Sequence, residues 1–238
     1  MMEVRARRGR RRARERMAAA ASYTAMGWPV CAGAYPLRGA AEARGTGQRS
    51  SGQRSSGQSG STGRACSCDR VGCPDPGAHP ISAAWQSQAT MDTRVINRWW
   101  REEPSANVLL VTGRVFDVLD VPATAGRIAA QAFARAPAGS GLVAVCGPDR
   151  YLFFVVTRGA PADEVEWWSC HLDCEPGGIA DTPGIRWHCR DSYVLAPPSR
   201  HISGQQVHWL TEPAGQPLPD SLRILPVLVD ACEEAGGR

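Results

Sequence analysis

Two stretches decide the fold of this chain: GIRWHCRDSYVLAPPS at residues 184–199 and VFDVLDVP at residues 115–122. Tyr193–Leu195 is a short apolar run that two prolines end, and the second stretch is an apolar run interrupted by Asp117 and Asp120. β-Branched and aromatic runs bounded by glycine and proline predict buried strands. An aspartate at the end of such a strand is a common ligand for a metal ion that binds a phosphate. The sequence therefore raises the question of how many carboxylates gather there.

The composition is typical of a globular protein. The chain has 238 residues, enough for one full hydrophobic core, and 43% of them are hydrophobic. No apolar run reaches the roughly 18 residues that a membrane span needs, and Met17–Ala21 is too short and too weakly apolar for a secretory signal. We therefore expect a cytoplasmic protein without membrane contact, in which the nine cysteines are reduced thiols or metal ligands.

The positive charge is concentrated in the first quarter of the chain. All 27 basic residues are arginine, and the net charge is +4. Residues 1–64 contain 13 Arg and 3 Glu, a balance of +10, which leaves −6 for residues 65–238. The main part of the chain is thus mildly acidic and lacks the broad basic footprint of a domain that grips DNA. A DNA contact there would need a local arginine cluster.

Two segments are predicted to lie outside the core. Residues 1–16 are predicted to be a basic disordered extension: either an arm that binds nucleic acid or, as we expect, an extension upstream of a start at Met17. Residues 38–64 are a low-complexity insertion rich in Gly, Ser and Gln, with tandem GQRSS copies. Such a composition cannot bury apolar surface, so we expect this insertion to be disordered.

Possible metal ligands follow the insertion in the pattern Cys66-x-Cys68-x4-Cys73-x5-His79. Three thiolates and one imidazole suit a tetrahedral Zn2+ site, and the intervening glycines and prolines allow the chain to turn back on the ion. The spacing differs from the common CxxC pattern. Reduced structural cysteines with a hydrogen-bonded histidine are therefore the alternative.

Helices and a further strand are predicted around the two central stretches. Met17–Met26 is expected to form a helix that Gly27 ends. Asp92 is expected to cap a helix that runs to about Arg101. Residues 107–112 predict a buried strand.

Two features near the end of the chain leave alternatives open. One is a group of four possible metal ligands: Cys170, Cys174, His188 and Cys189. Either they form a second metal site or, as their spacing favours, they are thiols and a histidine at strand edges. The other is residues 219–234, which have apolar residues at helical spacing and Pro226 as a kink or break. We expect a packing helix, with a partner-binding helix as the alternative.

Several motifs, in this order, resemble the N-terminal domain of bifunctional DNA primase/polymerases (Prim-Pol), in the archaeo-eukaryotic primase superfamily. They cover roughly residues 17–209 apart from the insertion: GWPV (27–30), PGAHP (76–80), WW (99–100), PSANVLLVTG (104–113), VFDVLDVP and the stretch around Tyr193. The resemblance implies an α/β (α+β) domain, in which an RRM-like sheet half lies beside a smaller αβ half, with a Cys-rich zinc loop. It implies that residues 17–37 begin the domain, that residues 65–212 complete it, and that residues 213–238 form a helical tail.

The resemblance also names catalytic positions, and the chain departs from the family at each. The family's Asp-x-Asp motif is similar to the segment from Asp120 to Pro122, so a proline stands where the second metal-binding carboxylate belongs. The family histidine that contacts nucleotide phosphates falls at Tyr151, next to Arg150, and a third family aspartate falls at Arg186. Nucleotidyl transfer needs two divalent ions held by carboxylates, whereas an arginine repels Mg2+.

Three functions are consistent with these substitutions. The one we expect is a catalytically degraded primase/polymerase-like protein that binds a nucleotide or DNA, with Arg150 and Arg186 as phosphate contacts. The second is an active, template-dependent DNA primase/polymerase that uses Mg2+ with substituted ligands. The third is a zinc-stabilised protein-interaction module with no nucleic-acid role.

The active enzyme has a geometric requirement. It would use substituted ligands such as Asp117, Asp120 and Asp191, and the deciding observation is whether these three and Asp173 converge within metal-bridging distance. Asp117 and Asp120 are three residues apart on one strand, so we expect them on opposite faces of the sheet. Convergence of three of these side chains would favour the active enzyme, and their separation would favour the degraded one.

Overall fold

The computed structural model describes residues 2–37, 65–68, 70, 72–135, 141–157 and 184–236. This part of the chain forms two antiparallel sheets with helices packed on them. None of its helices is long and apolar enough to cross a membrane. The predicted insertion at residues 38–64 lies outside the described residues, as do Cys170, Asp173 and Cys174.

Helices and strands are mixed along the chain. The strands are β1 (Val30–Gly33), β2 (Asn107–Val111), β3 (Phe116–Pro122), β4 (Val143–Cys146), β5 (Arg150–Val156), β6 (Arg186–His188), β7 (Tyr193–Leu195) and β8 (His208–Thr211). The helices are α1 (Met2–Ala25), α2 (Trp85–Gln88), α3 (Thr93–Glu102), α4 (Ala123–Arg135) and α5 (Ser221–Gly236). A three-stranded sheet has the order β1–β2–β7, and a five-stranded sheet has the order β6–β3–β5–β4–β8. The predicted α+β class is confirmed.

Two hydrophobic cores hold these layers together. One core lies between the sheets, and the other lies between the five-stranded sheet and helices α4 and α5. β3 supplies both cores, because alternate side chains of a strand point to opposite faces. Phe116 and Val118 belong to the first core, and Leu119 and Val121 belong to the second. The smaller sheet with α1 and α3, and the larger sheet with α4 and α5, correspond to the two predicted halves.

Aromatic rings fasten α1 and the residues after it to both sheets. Trp28 stacks on Phe154 with ring centroids 5.6 Å apart, and its ring lies 4.7 Å from that of Phe116. Tyr23 stacks on Trp28 at 6.0 Å, and its hydroxyl donates to the Pro197 carbonyl at 2.7 Å. Offset and tilted ring pairs add to the stabilisation that their burial gives. The GWPV segment therefore joins the two halves of the domain.

Helix α1 begins at Met2, well before the predicted start at Met17. The Arg-rich segment continues the helix, whereas its charge had suggested a disordered extension. Arginine and alanine are strong helix formers. Arg16 also fixes the helix to the domain, since its side chain is buried and its Nη2 donates to the Pro104 carbonyl at 3.0 Å. Composition could not indicate this contact, which joins residues far apart in the sequence.

The helix predicted from Asp92 and the helix predicted near the end of the chain are both confirmed, as α3 and α5. Asp92 caps α3 by accepting a hydrogen bond from the Arg94 amide at 2.8 Å. α5 passes through Pro226 without ending. Leu228 of α5 is fully buried in the second core, so this helix packs on its own domain.

The residues that flank the insertion are hydrogen-bonded to each other. The Leu37 amide donates to the Ala65 carbonyl at 2.9 Å, and Pro36 pairs with Cys66. We expect that a four-residue Gly-Ser linker in place of residues 38–64 will keep the fold and change the free energy of unfolding by at most about 2 kcal/mol, because loop-closure entropy depends weakly on length. Urea unfolding of both proteins measures the difference. Loss of a cooperative transition in the shortened protein would contradict the prediction.

Candidate functional site

Three strands bring one carboxylate and several nitrogen-bearing side chains to the same face of the five-stranded sheet. β3 pairs with β5 so that Pro122 is opposite Arg150, and with β6 so that Asp120 is opposite Arg186. Opposed residues of paired strands share a face, as do residues two apart on one strand. His188, two residues after Arg186, is therefore on this face too. The face is the one that points toward the smaller sheet, since Val118 and Phe116 share it.

The Asp120 carboxylate is buried, with 4% of the residue exposed. Arg150 Nε donates to Asp120 Oδ1 at 2.6 Å, and Arg150 Nη2 donates to the carbonyls of Asp120 at 3.0 Å and Gly184 at 3.1 Å. His188 Nε2 lies 3.4 Å from Asp120 Oδ2, and Arg186 Nη1 lies 3.9 Å from the same oxygen. Both carboxylate oxygens therefore face nitrogen atoms of the protein itself.

The surroundings keep Asp120 ionised. Burial alone would raise the pKa of its carboxyl group, because the charged form loses its water. The hydrogen bond with His188 and the positive charge of Arg150 outweigh burial and hold the pKa below its usual value. Asp120 and Arg150 thus form a charge-assisted hydrogen bond in a largely buried position.

The other described aspartates considered as metal ligands lie elsewhere. Asp117 is buried on the opposite face of β3, where its Oδ2 accepts a hydrogen bond from Trp187 Nε1 at 3.2 Å. The predicted opposite orientation of Asp117 and Asp120 is therefore confirmed. Asp191 is exposed at a φ of 57° and pairs with Arg190 at 3.7 Å. Within the described residues, no group of three carboxylates is close enough to hold a metal ion.

Tyr151 is not beside Asp120, although the resemblance put the family histidine at this position. Neighbouring residues of a strand point to opposite faces, and Arg150 is the one that shares the face of Asp120. Tyr151 instead covers Gly126 of α4, where an added Cβ would lie 2.4 Å from the Tyr151 Cγ. Arg150 is thus the residue of this motif that meets the carboxylate.

A second candidate site lies in the loop before α2. Cys66, Cys68, Cys73 and His79 have their ligand atoms within 4.8 Å of one another, and the described part of the chain contains no other such group. His79 Nε2 lies 3.3 Å from Cys66 Sγ and 3.3 Å from Cys73 Sγ. Zinc bonds of about 2.0–2.3 Å separate tetrahedral ligand atoms by roughly 3.5–3.8 Å. The predicted cluster therefore has the dimensions of a Cys3His site that can hold a metal such as zinc.

Backbone groups orient these ligands. His79 Nδ1 lies 2.8 Å from the Pro80 carbonyl, which directs Nε2 to the thiols. The Gly77 amide donates to Cys66 Sγ at 3.3 Å. Gly77 has a φ of 85°, and an added Cβ would lie 2.5 Å from Pro36 Cδ. The loop therefore needs glycine at this position.

The thiols of the cluster differ in acidity. Burial would raise the pKa of Cys68, but hydrogen bonds from the Arg70 backbone and from the other ligand side chains lower it to about 7. Burial, together with the hydrogen bond to Cys68, raises the pKa of Cys73 to about 12. A bound cation would favour the thiolate form of each of the three cysteines.

Asn107 ties the Cys-rich loop to the rest of the domain. Its Nδ2 donates to the Gly77 carbonyl at 2.8 Å and to the Arg200 carbonyl at 2.9 Å, and its Oδ1 accepts from the Arg200 amide at 2.9 Å. The residue is fully buried at the start of β2. Nothing in the sequence distinguished it from an ordinary strand residue.

The two described members of the second proposed metal group do not point to a common site. His188 has its Nδ1 3.1 Å from Ser192 Oγ and its Nε2 toward Asp120, whereas Cys189 is buried in the second core. The contact between His188 and Asp120 was missed by sequence reasoning. Only the register of β3 against β6 brings the two residues together.

The fold and the surroundings of Asp120 define a class of protein. It is an α+β domain with two antiparallel sheets and a buried aspartate on the face of the larger sheet that points toward the smaller one. A family model described as bifunctional DNA primase/polymerase, N-terminal (Prim-Pol), matches residues 20–226. The chain therefore belongs to the Prim-Pol family, as its motifs had suggested. No curated protein matches its sequence.

Proposed function

We propose that this Prim-Pol domain has lost nucleotidyl transfer and acts by binding a nucleotide or DNA. The observation that carries the proposal is the state of Asp120, whose Oδ1 accepts from Arg150 Nε at 2.6 Å and whose Oδ2 faces His188 and Arg186. Two-metal catalysis needs carboxylates that are open to divalent ions. Here Arg150 and Arg186 supply the positive charge that the ions would bring.

The proline of the first motif supports the same conclusion. Pro122 has no ligand atom where the family has its second carboxylate, so among the described residues no second carboxylate would join Asp120 in holding Mg2+. An incoming Mg2+ would also meet the positive charges of Arg150 and Arg186. Metal binding would thus require the largely buried ion pair to break, which is costly because it leaves an uncompensated charge.

The same groups favour an anionic ligand. Arg186 is partly accessible, with 24% of its side chain exposed, and its Nη1 is 3.9 Å from Asp120. A guanidinium carries five N–H donors in one plane, so Arg186 can contact a phosphate in addition to Asp120. In this proposal, Arg150 and Asp120 form a largely buried ion pair that stays in place, and Arg186 contacts the nucleotide phosphates.

The Cys3His cluster fits a structural role in this proposal. Its four ligands leave no open coordination position for a substrate, as is usual for structural Zn2+ sites. The seven cysteines among the described residues are all free thiols. Free thiols fit the expected cytoplasmic location, because cytosolic proteins keep their cysteines reduced.

Two assays on the full chain test the proposal. Primer extension with dNTPs and Mg2+ or Mn2+ should give no product, while a fluorescent dNTP should bind. Arg186→Gln should weaken nucleotide binding about tenfold, because a hydrogen bond to a charged group contributes about 1.5 kcal/mol or more. Arg190→Gln is the matched control, since Arg190 is an exposed neighbouring arginine.

The outcomes separate the three functions. Incorporation that disappears in Asp120→Asn would make the protein an active polymerase and contradict the proposal. Failure to bind nucleotide and DNA alike would favour the zinc-stabilised interaction module.

A further inference from the structure

A small, partly open surface pocket lies between helix α1 and the segment after β7. Arg12 and Arg16 line it from the helix, and Arg200 lines it from the other side. None of the residues that line this pocket is among the contacts of Asp120 described above. It therefore requires a separate explanation.

Arg16 is buried in this pocket without full hydrogen bonding. Only 8% of the residue is exposed, and its Nη2 donates to the Pro104 carbonyl at 3.0 Å. Its Nε is also buried but has no hydrogen-bond partner among the described residues. A buried guanidinium with an unsatisfied donor is costly unless a ligand completes its contacts.

The arginines of the pocket also repel one another. Burial first, and then the positive charges of Arg200 and Arg12, lower the pKa of Arg16. Glu15 also lines the pocket and partly offsets this repulsion, but its carboxylate is directed to Arg11, with Oε1 3.5 Å from Arg11 Nε. The lining therefore carries more positive than negative charge, and a bound anion would relieve the repulsion.

We propose that Arg12, Arg16 and Arg200 bind a phosphate group, and that this phosphate belongs to the backbone of a nucleic-acid strand. Guanidinium groups suit phosphate oxygens because their donors lie in one plane and can bind in pairs. A strand is favoured over a free phosphate because further arginines of the same helix are exposed, among them Arg7, Arg10 and Arg11. Such a surface attracts a polyanion along its length.

The inference rests on the proposed role in nucleic-acid binding. Fluorescence anisotropy with the full chain and a labelled 12-nucleotide oligo-dT tests it. Arg200→Gln should weaken binding about tenfold and reduce the slope of log Kd against log salt by about one. The bonds from Arg200 to Asn107 use backbone atoms, so this variant keeps them, and urea unfolding checks that it is folded. Arg12→Gln is a second pocket variant with the same expected direction.

Arg14→Gln is the matched control, because Arg14 is exposed on the same helix and does not line the pocket. It should change affinity by no more than about twofold, since an exposed charge acts through screened attraction. Equal losses in Arg14→Gln and Arg200→Gln would overturn the pocket as a site, even if the domain still binds DNA and the proposed function stands. Inorganic phosphate that binds through Arg200, without any oligonucleotide binding, would overturn the assignment to a strand. A chain that binds dNTP through Arg186 but binds no oligonucleotide would overturn this inference and leave the proposed nucleotide binding intact.

Discussion

Asp120→Ala is expected to lower the free energy of unfolding by about 3–5 kcal/mol, because it leaves Arg150 largely buried without its counter-charge. Arg150 Nε and Asp120 Oδ1 are 2.6 Å apart, and the side chains are 16% and 6% exposed. Urea unfolding monitored by tryptophan fluorescence measures the change. Asp191→Asn is the control: asparagine tolerates the left-handed backbone at this position, and an exposed carboxylate paired at 3.7 Å should contribute less than about 1 kcal/mol.

Two further measurements distinguish an ion pair from a metal-ligand site. In Asp120→Leu/Arg150→Met, both members of the closest pair are removed, and most of the lost stability should return because Arg186, which loses the same carboxylate, is partly exposed to water. The pH dependence should follow the depressed pKa of Asp120. The ion pair stabilises the fold fully above the unfolded pKa of about 3.9, and this contribution is lost as the pH falls through the lower folded pKa. The difference between wild type and Asp120→Ala should thus be constant near neutral pH and shrink below about pH 4.

If Asp120 were a carboxylate held open for a metal ion, Asp120→Ala would not lower the free energy of unfolding. Carboxylates held for Mg2+ are poorly compensated in the absence of the ion, so their removal is neutral or stabilising. A gain of stability in Asp120→Ala, together with stabilisation of the wild type by millimolar Mg2+, would contradict the ion-pair interpretation.

Cys68→Ser is expected to reduce the zinc content from about one ion per chain to near zero, because a structural site needs all four ligands. Zinc binding and folding are coupled in such loops. The loss of about 3 kcal/mol of metal-linked stabilisation would lower the unfolding temperature by about 6–12 °C in a domain of this size. Metal analysis of the purified protein and thermal unfolding with and without a chelator measure both effects.

Cys232→Ser is the control for this prediction. Cys232 packs against the second core from α5 and belongs to no metal-ligand group. Its replacement should leave the zinc content unchanged. Protein that contains no zinc and unfolds at the same temperature with or without chelator would show that the four residues are structural thiols and a histidine.

Local patterns predicted the parts of this protein that local physics determines. The cap at Asp92 and the Cys3His spacing depend on residues close in sequence. The opposite faces of Asp117 and Asp120 follow from strand geometry alone, and they were predicted correctly.

The errors arose where strand register or a distant contact decides the outcome. Arg150, not Tyr151, meets Asp120 because of the antiparallel register of β3 and β5. The start of α1 was misplaced because the burial of Arg16 depends on a carbonyl 88 residues away. The sequence without an alignment carries no signal for either.

The shared core between the sheets has a consequence for how ligands enter. Trp28, Phe116 and Phe154 belong to this core, and side chains of the smaller sheet, including Val108 and Val194, belong to it as well. A hinge motion that separated the two sheets would expose these side chains to water, at roughly 25 cal/mol for each Å². The sheets therefore move as one unit, and a ligand proposed to bind at Asp120 would be admitted by side-chain rotations instead of by closure of one half over the other.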